Sequence, residues 1–233
     1  MSGNSGSLLK ETTQFEAQRR EMVAQQLRAH GVRSERVLSA MCAVPRHEFV
    51  PSHQLASAYS DQALAIGDGQ TISQPYVVAA MAEALGLQGH ERVLEIGGGS
   101  GYQAAVLSRL AREVITLELL PQLAAAARER LARLGFSNVH VEQGDGSLGW
   151  PLAAPYDAIL VAAASPQIPQ PLLGQLVEGG RLLLPMGTID EQNLIRAVKR
   201  GVNAVPETLF ACRFVPLRGR YGWPAESRPT PQP

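Results

Sequence analysis

The chain has 233 residues, 45% hydrophobic and 18% charged, and its 21 basic and 21 acidic side chains give a formal net charge of zero. That composition supports the buried core of one domain or one and a half, and it carries no charge excess to steer the protein to nucleic acid or to an anionic membrane. Cys42 and Cys212 are far apart and form no Cys-x-x-Cys, which argues against a disulfide scaffold or zinc site and for reduced thiols in a cytoplasmic protein.

Residues 1–12 are polar and small at their start, hold no apolar signal core, and are expected to be disordered. Thr13-x-x-Glu16 is a capping box, and the stripe Phe15, Met22, Val23, Gln26 and Leu27 predicts a helix that stops at Gly31. Ser34 opens a second helix through Val37, Leu38 and Met41, ended by Pro45. Residues 46–73 read as irregular, with a turn at Ile66-Gly67-Asp68-Gly69. Pro75 suits the first position of a helix that buries Val77, Val78, Met81 and Leu85 and ends at Gly86.

Beyond that point strand and helix alternate. Strands are predicted at 92–96, 113–118, 138–142, 156–162 and 181–185, with helices at 102–112, 121–134 and near 171–177. Apolar runs such as Ala158-Ile159-Leu160-Val161 suit strands covered on both faces. The alternation predicts an α/β fold, a doubly wound, mostly parallel sheet of Rossmann type. Leu194–Leu217 reads as one or two further strands turning at Gly201–Pro206. The expected division is a helical, substrate-lid region at 13–90, a ligand-binding α/β domain at 91–218 and a flexible tail at 219–233. No run reaches membrane-spanning length. The five histidines share no metal-ligand spacing, so no metal is expected.

The chemistry concentrates in Val93-Leu94-Glu95-Ile96-Gly97-Gly98-Gly99-Ser100-Gly101-Tyr102. A buried strand runs into a glycine-rich turn and a helix, so backbone can approach a nucleotide-like ligand closely. The spacing is Gly-x-Gly-x-Gly, not the Gly-x-Gly-x-x-Gly of dinucleotide sites. Glu95 precedes the first glycine by two residues. A carboxylate there disfavours a pyrophosphate and suits a cation. That points to S-adenosylmethionine, which carries a sulfonium and an ammonium but no phosphate, over NAD. Gly97, Gly99 and Gly101 would cradle it. Glu118 ends the next strand, where an acid accepts from ribose hydroxyls. Asp145, in Gly144-Asp145-Gly146, could accept from an adenine amino group, although Asp-Gly is also an ordinary turn pair.

With these pieces in view the chain resembles the protein-L-isoaspartate O-methyltransferase family from about Met22 to Leu217. The resemblance is carried by Gly69-Gln70-Thr71-Ile72-Ser73-Gln74-Pro75-Tyr76, by the glycine loop to Gln103 with Gly144-Asp145-Gly146, and by Arg213-Phe214-Val215-Pro216-Leu217. Val44-Pro45-Arg46 and Phe49-Val50-Pro51 resemble the family's N-terminal region. Two positions depart from it: Gly98 stands where threonine or serine is expected, and Ala65 where proline is expected.

The resemblance implies methyl transfer from S-adenosylmethionine to the free α-carboxylate of L-isoaspartyl residues in damaged proteins, releasing S-adenosylhomocysteine. The methyl ester then closes to a succinimide, because the neighbouring backbone nitrogen attacks within one chain. It implies that Ser73 hydrogen-bonds the substrate carboxylate, and that Ile72, Val215, Pro216 and Leu217 line the peptide groove. It also places Ile72, Gln74 and Gly146 on the cofactor side with Glu95, Glu118 and Asp145. Local sequence alone reads Ser73 or Gln74 as a cap for the helix at Pro75, and Ile72 and 215–217 as strand core. A methyltransferase with another substrate, and a non-catalytic module binding S-adenosylmethionine or isoaspartyl ends, are the alternatives. The intact acids at 95, 118 and 145 favour an enzyme. Partners are isoaspartyl peptides and proteins, with neither nucleic acid nor membrane. The oligomeric state stays open, a monomer being compatible.

Overall fold

The computed structural model describes residues 4–223. The chain divides into two compact units, Met1–Glu83 and Ala84–Pro233, so the division falls inside a helix rather than at the 90/91 boundary expected from sequence.

In the first unit, α1 (Asn4–Glu21) continues as a π-helical segment, Met22–Arg28, in which Met22 and Leu27 are buried. The helix therefore starts well before Thr13, so residues 4–12, expected to be disordered, are helical, while residues 1–3 lie outside the described residues. The capping box is only a local signal, and no glycine or proline between Ser7 and Thr13 stops a helix from passing through it. Ser34 does cap α2 (Glu35–Ala43), its hydroxyl oxygen accepting from Val37 N at 3.4 Å. The stretch read as irregular holds two 3-10 turns, Arg46–Phe49 and Ser52–Ser57, and a short antiparallel hairpin, β1 (Leu64–Gly67) with β2 (Gln70–Ile72). Its strands are too short to show a period. Helix α3 (Pro75–Leu85) follows as predicted.

The second unit is a seven-stranded sheet. Its strands are β3 (Arg92–Ile96), β4 (Glu113–Glu118), β5 (Val139–Gln143), β6 (Tyr156–Val161), β7 (Leu176–Gly187), β8 (Gln192–Arg200) and β9 (Asn203–Cys212). They lie in the order β5-β4-β3-β6-β7-β8-β9, parallel from β5 to β7 and antiparallel across β8 and β9. Helices α4 (Tyr102–Ser108), α5 (Pro121–Arg133) and α6 (Gln170–Gly174) occupy the connections. Strands β3, β4 and β6 are almost wholly buried, as a doubly covered parallel sheet requires. The chain goes from β3 to one side and returns to β6 on the other, so a crevice opens at the carboxyl ends of β3 and β6, where such sheets bind ligands.

Three differences from the sequence reading matter. Strand β7 is longer than 181–185, and β8 and β9 form a hairpin turning at 201–202. Residues 219–223, assigned to a flexible tail, are tied to the unit by hydrogen bonds; 224–233 lie outside the described residues. Among the described residues, no helix is long and apolar enough to cross a membrane.

Candidate active site

In the second unit the predicted acids gather at the strand tips. Glu95 sits in β3, fully buried. Neither of its carboxylate oxygens makes a geometrically good hydrogen bond among the described residues. Burial pushes its carboxyl up to about 8; the Thr116 hydroxyl on the adjacent strand pulls the other way, and the charge of Glu118 adds to the rise. A buried carboxylate without donors is costly, so this one calls for a cation or a proton. The buried Thr116 hydroxyl and Gln103 Nε2, in the first turn of α4, also lack partners among the described residues. Glu95 and Gln103 flank the glycine loop in sequence and Thr116 reaches Gly98 from β4, and these orphaned atoms fit a ligand with both polar and cationic parts.

The loop between β3 and α4 needs its glycines. Gly97 and Gly101 adopt φ of 89° and 87°, in the left-handed region. Gly98 has another reason: a Cβ there would come within 2.5 Å of Thr116 Oγ1. The threonine or serine expected at 98 would require the Thr116 hydroxyl on β4 to move.

Glu118, at the end of β4, accepts from Gly99 N at 2.7 Å and from Leu120 N at 2.9 Å. It thus pins the loop, and two of the four lone pairs of a carboxylate remain for a ligand. Asp145 follows β5. Its Oδ1 accepts from Ser147 N at 2.9 Å and Ser147 Oγ at 2.6 Å, and its Oδ2 from Arg220 N at 2.8 Å. At Gly146 a Cβ would collide with the Ile96 side chain, which keeps this turn close to β3. Val215 and Leu217 bracket Ala164 beyond β6: Ala164 N donates to Val215 O at 2.8 Å and Leu217 N to Ala164 O at 2.7 Å. Leu217 belongs to the hydrophobic core and Val215 packs against it.

In the first unit Ile72 is buried in β2, and Ser73 and Gln74 link it to α3. Ser73 is half-buried, and its hydroxyl makes no hydrogen bond among the described residues. Neither Ser73 nor the Gln74 side chain caps α3. Asp61 does so, its Oδ1 accepting from Tyr76 N at 3.1 Å and its Oδ2 from Gln74 Nε2 at 3.0 Å. Ser73 is held through its backbone instead: Arg46 Nη2 donates to Ser73 O at 2.8 Å, and Arg46 Nε donates to Ala58 O at 2.8 Å. Arg46 is fully buried. Sequence reasoning missed Asp61 and Arg46 as site residues. An arginine is expected at the surface, and these partners are main-chain groups that no residue letter announces.

A mostly parallel sheet of this order, with a glycine loop after β3 and acids at the ends of β3 and β4 and just after β5, is that of the S-adenosylmethionine-dependent methyltransferase class with a Rossmann-like fold. The model of the protein-L-isoaspartate(D-aspartate) O-methyltransferase family matches residues 17–222, and the chain belongs to that family. It is 53% identical over 212 residues to the protein-L-isoaspartate O-methyltransferase of Methanoculleus marisnigri, covering 91% of this chain and 96% of that one. A solved protein-L-isoaspartate O-methyltransferase superposes with a TM-score of 0.80 at 34% identity, over 87% of this chain and 67% of the other. A Plasmodium falciparum protein of the same kind, solved in complex with S-adenosyl-L-homocysteine, shares the fold with a TM-score of 0.73 at 23% identity, over 86% and 98% of the two chains.

Proposed function

We propose that this chain methylates the free α-carboxylate of L-isoaspartyl residues in damaged proteins, starting their repair through a succinimide. One observation carries it: a family match from residue 17 to 222 that takes in both the Thr71–Pro75 segment and the glycine loop. S-adenosylmethionine supplies the methyl as an electrophile on a positively charged sulfur. Glu95 favours the cationic end of that donor, because its buried carboxyl ionises at lower cost once a cation is beside it. The free lone pairs of Glu118 take the ribose hydroxyls, and Asp145 takes the adenine amino group. Gly97, Gly99, Gly101 and Gly146 allow close backbone approach, and Ile72 and Gln74 complete the cofactor side.

Ser73 offers its unpaired hydroxyl to the substrate carboxylate. That carboxylate is already ionised near neutral pH, with an ordinary pKa of ~4, so no general base is needed. Orientation and water exclusion remain the protein's task. Val215 and Pro216 line the peptide path, while Leu217 contributes by packing. Zero net charge and unpaired cysteines support a cytoplasmic protein acting on isoaspartyl peptides and proteins rather than on nucleic acid or membrane.

The test is tritiated methyl incorporation into an isoaspartyl peptide, its aspartyl twin and a D-aspartyl version. Incorporation into the first and not the second is expected, and equal labelling of both twins would overturn the reading. Ser73→Ala should lower turnover roughly tenfold, the loss of one hydrogen bond to a charged group, with cofactor affinity unchanged. Parental turnover in that variant would remove Ser73 from the site.

A further inference from the structure

The segment after Leu217 makes a set of contacts that the methyl-transfer reading does not use. Leu217 is anchored in the core, and Trp223 N donates back to Leu217 O at 2.8 Å, closing the chain into a small loop. Arg218 and Trp223 form a bridge across it, and Gly222 N donates to Gly219 O at 3.2 Å. The loop is pressed onto the turn after β5. Arg220 N donates to Asp145 Oδ2 at 2.8 Å, and Tyr221 N donates to Ser147 Oγ at 2.9 Å. Ser147 in turn donates through both its nitrogen and its hydroxyl to Asp145 Oδ1. Gly219 passes so close that a Cβ would collide with Asp145 Oδ1, and its φ of 140° is one that glycine tolerates.

We infer that Gly219–Tyr221 is a strap that positions Asp145 and sets the preference for a 6-aminopurine in the cofactor. The inference rests on the proposed contact between Asp145 and the adenine amino group. A carboxylate presents about four acceptor sites. Two on Oδ1 are taken by Ser147 and one on Oδ2 by the Arg220 N–H, so one remains, and its direction is fixed by the other three. An amino group donates to that site. A purine with a carbonyl at the same position turns a lone pair toward the carboxylate and is rejected. The side chains of Arg220 and Tyr221 are not needed for this. The backbone N–H groups do the work, and Gly219 lets them come close.

The experiment compares S-adenosylhomocysteine with S-inosylhomocysteine, which carries a carbonyl in place of the amino group, by titration calorimetry on the full chain. Gly219→Ala and Arg220→Pro should weaken S-adenosylhomocysteine roughly tenfold, as expected for disturbing one hydrogen bond to a charged group. The inosyl analogue should stay within about twofold of its parental affinity, since it never used that bond. The preference between the two ligands then collapses. Arg220→Pro replaces the donating hydrogen with the ring Cδ, so the bond to Asp145 Oδ2 is lost, and it serves if Gly219→Ala does not fold. Equal weakening of both ligands, or an unchanged preference, overturns the strap. Asp145→Ala separates the two levels. If it leaves the preference intact, the adenine role of Asp145 falls as well. If it abolishes the preference while the strap variants keep it, only the strap falls.

Discussion

Glu95 is read from the sequence as an acid at a glycine turn, and its state in the fold is set by burial. A carboxylate two residues before a glycine turn disfavours a phosphate, and the structure buries it without donors. Its carboxyl is raised from 4.5 to about 8. Between those values the folded chain holds a proton that the unfolded chain has lost. Stability from this group is therefore greatest below about pH 4.5 and falls as pH rises toward about 8, by roughly a tenfold change in the folding equilibrium per pH unit at most. Glu95→Gln should melt with a flatter pH dependence than the parent across that window. Thermal denaturation of both proteins in a pH series measures it, and parallel curves would show that Glu95 is already ionised. Gly98 teaches the complementary lesson. Its departure from the family pattern makes room for the Thr116 hydroxyl on the neighbouring strand.

At the level of elements, the most specific segment, Thr71 to Pro75, is a junction between β2 and α3 held by groups distant in sequence. Asp61 satisfies the Tyr76 N–H at the start of α3 and fixes Gln74, while Arg46 holds the Ser73 carbonyl from behind. A helix end is ordinarily capped from the residue just before it, here Gln74, and the side chain that accepts instead comes from Asp61. Because Asp61 takes the capping duty, the Ser73 hydroxyl is not spent on this helix end. Asp61→Ala should cost about 1 kcal/mol of stability, the usual loss of a helix cap. It should also raise KM for isoaspartyl peptide, because the junction loses its brace. Asp61→Asn, which keeps an acceptor for Tyr76 N, should restore most of both. Denaturant titration with steady-state kinetics measures this, and an Asp61→Ala protein with parental KM would separate the cap from the site. The cap was invisible in sequence because Asp61 lies fifteen positions before Tyr76, outside any local capping window.

For the molecule as a whole, the cofactor choice has a thermodynamic signature. A ligand that binds only the folded state stabilises it by about 2.7 kcal/mol at a hundredfold its Kd. For a chain of this size that is a rise of roughly 5–10 °C in Tm. S-adenosylhomocysteine should produce such a rise and NAD at the same concentration none; a shift with NAD instead would reverse the choice drawn from glycine spacing. Strands β3, β4 and β6 and helices α3 and α5 were legible from apolar runs, prolines and glycines, since burial on both faces and chain stiffness act within a few residues. The identities of the acids at the strand tips were legible for the same reason. Their partners were not. Which donors bind Asp145, which acid caps α3, and which hydroxyl shares space with Gly98 all depend on residues brought together by the strand order and the loop paths. Periodicity reports the solvent on either side of an element, so one strand of letters carries it; hydrogen-bond pairing and steric fit involve two segments at once and come into being only when the chain has folded.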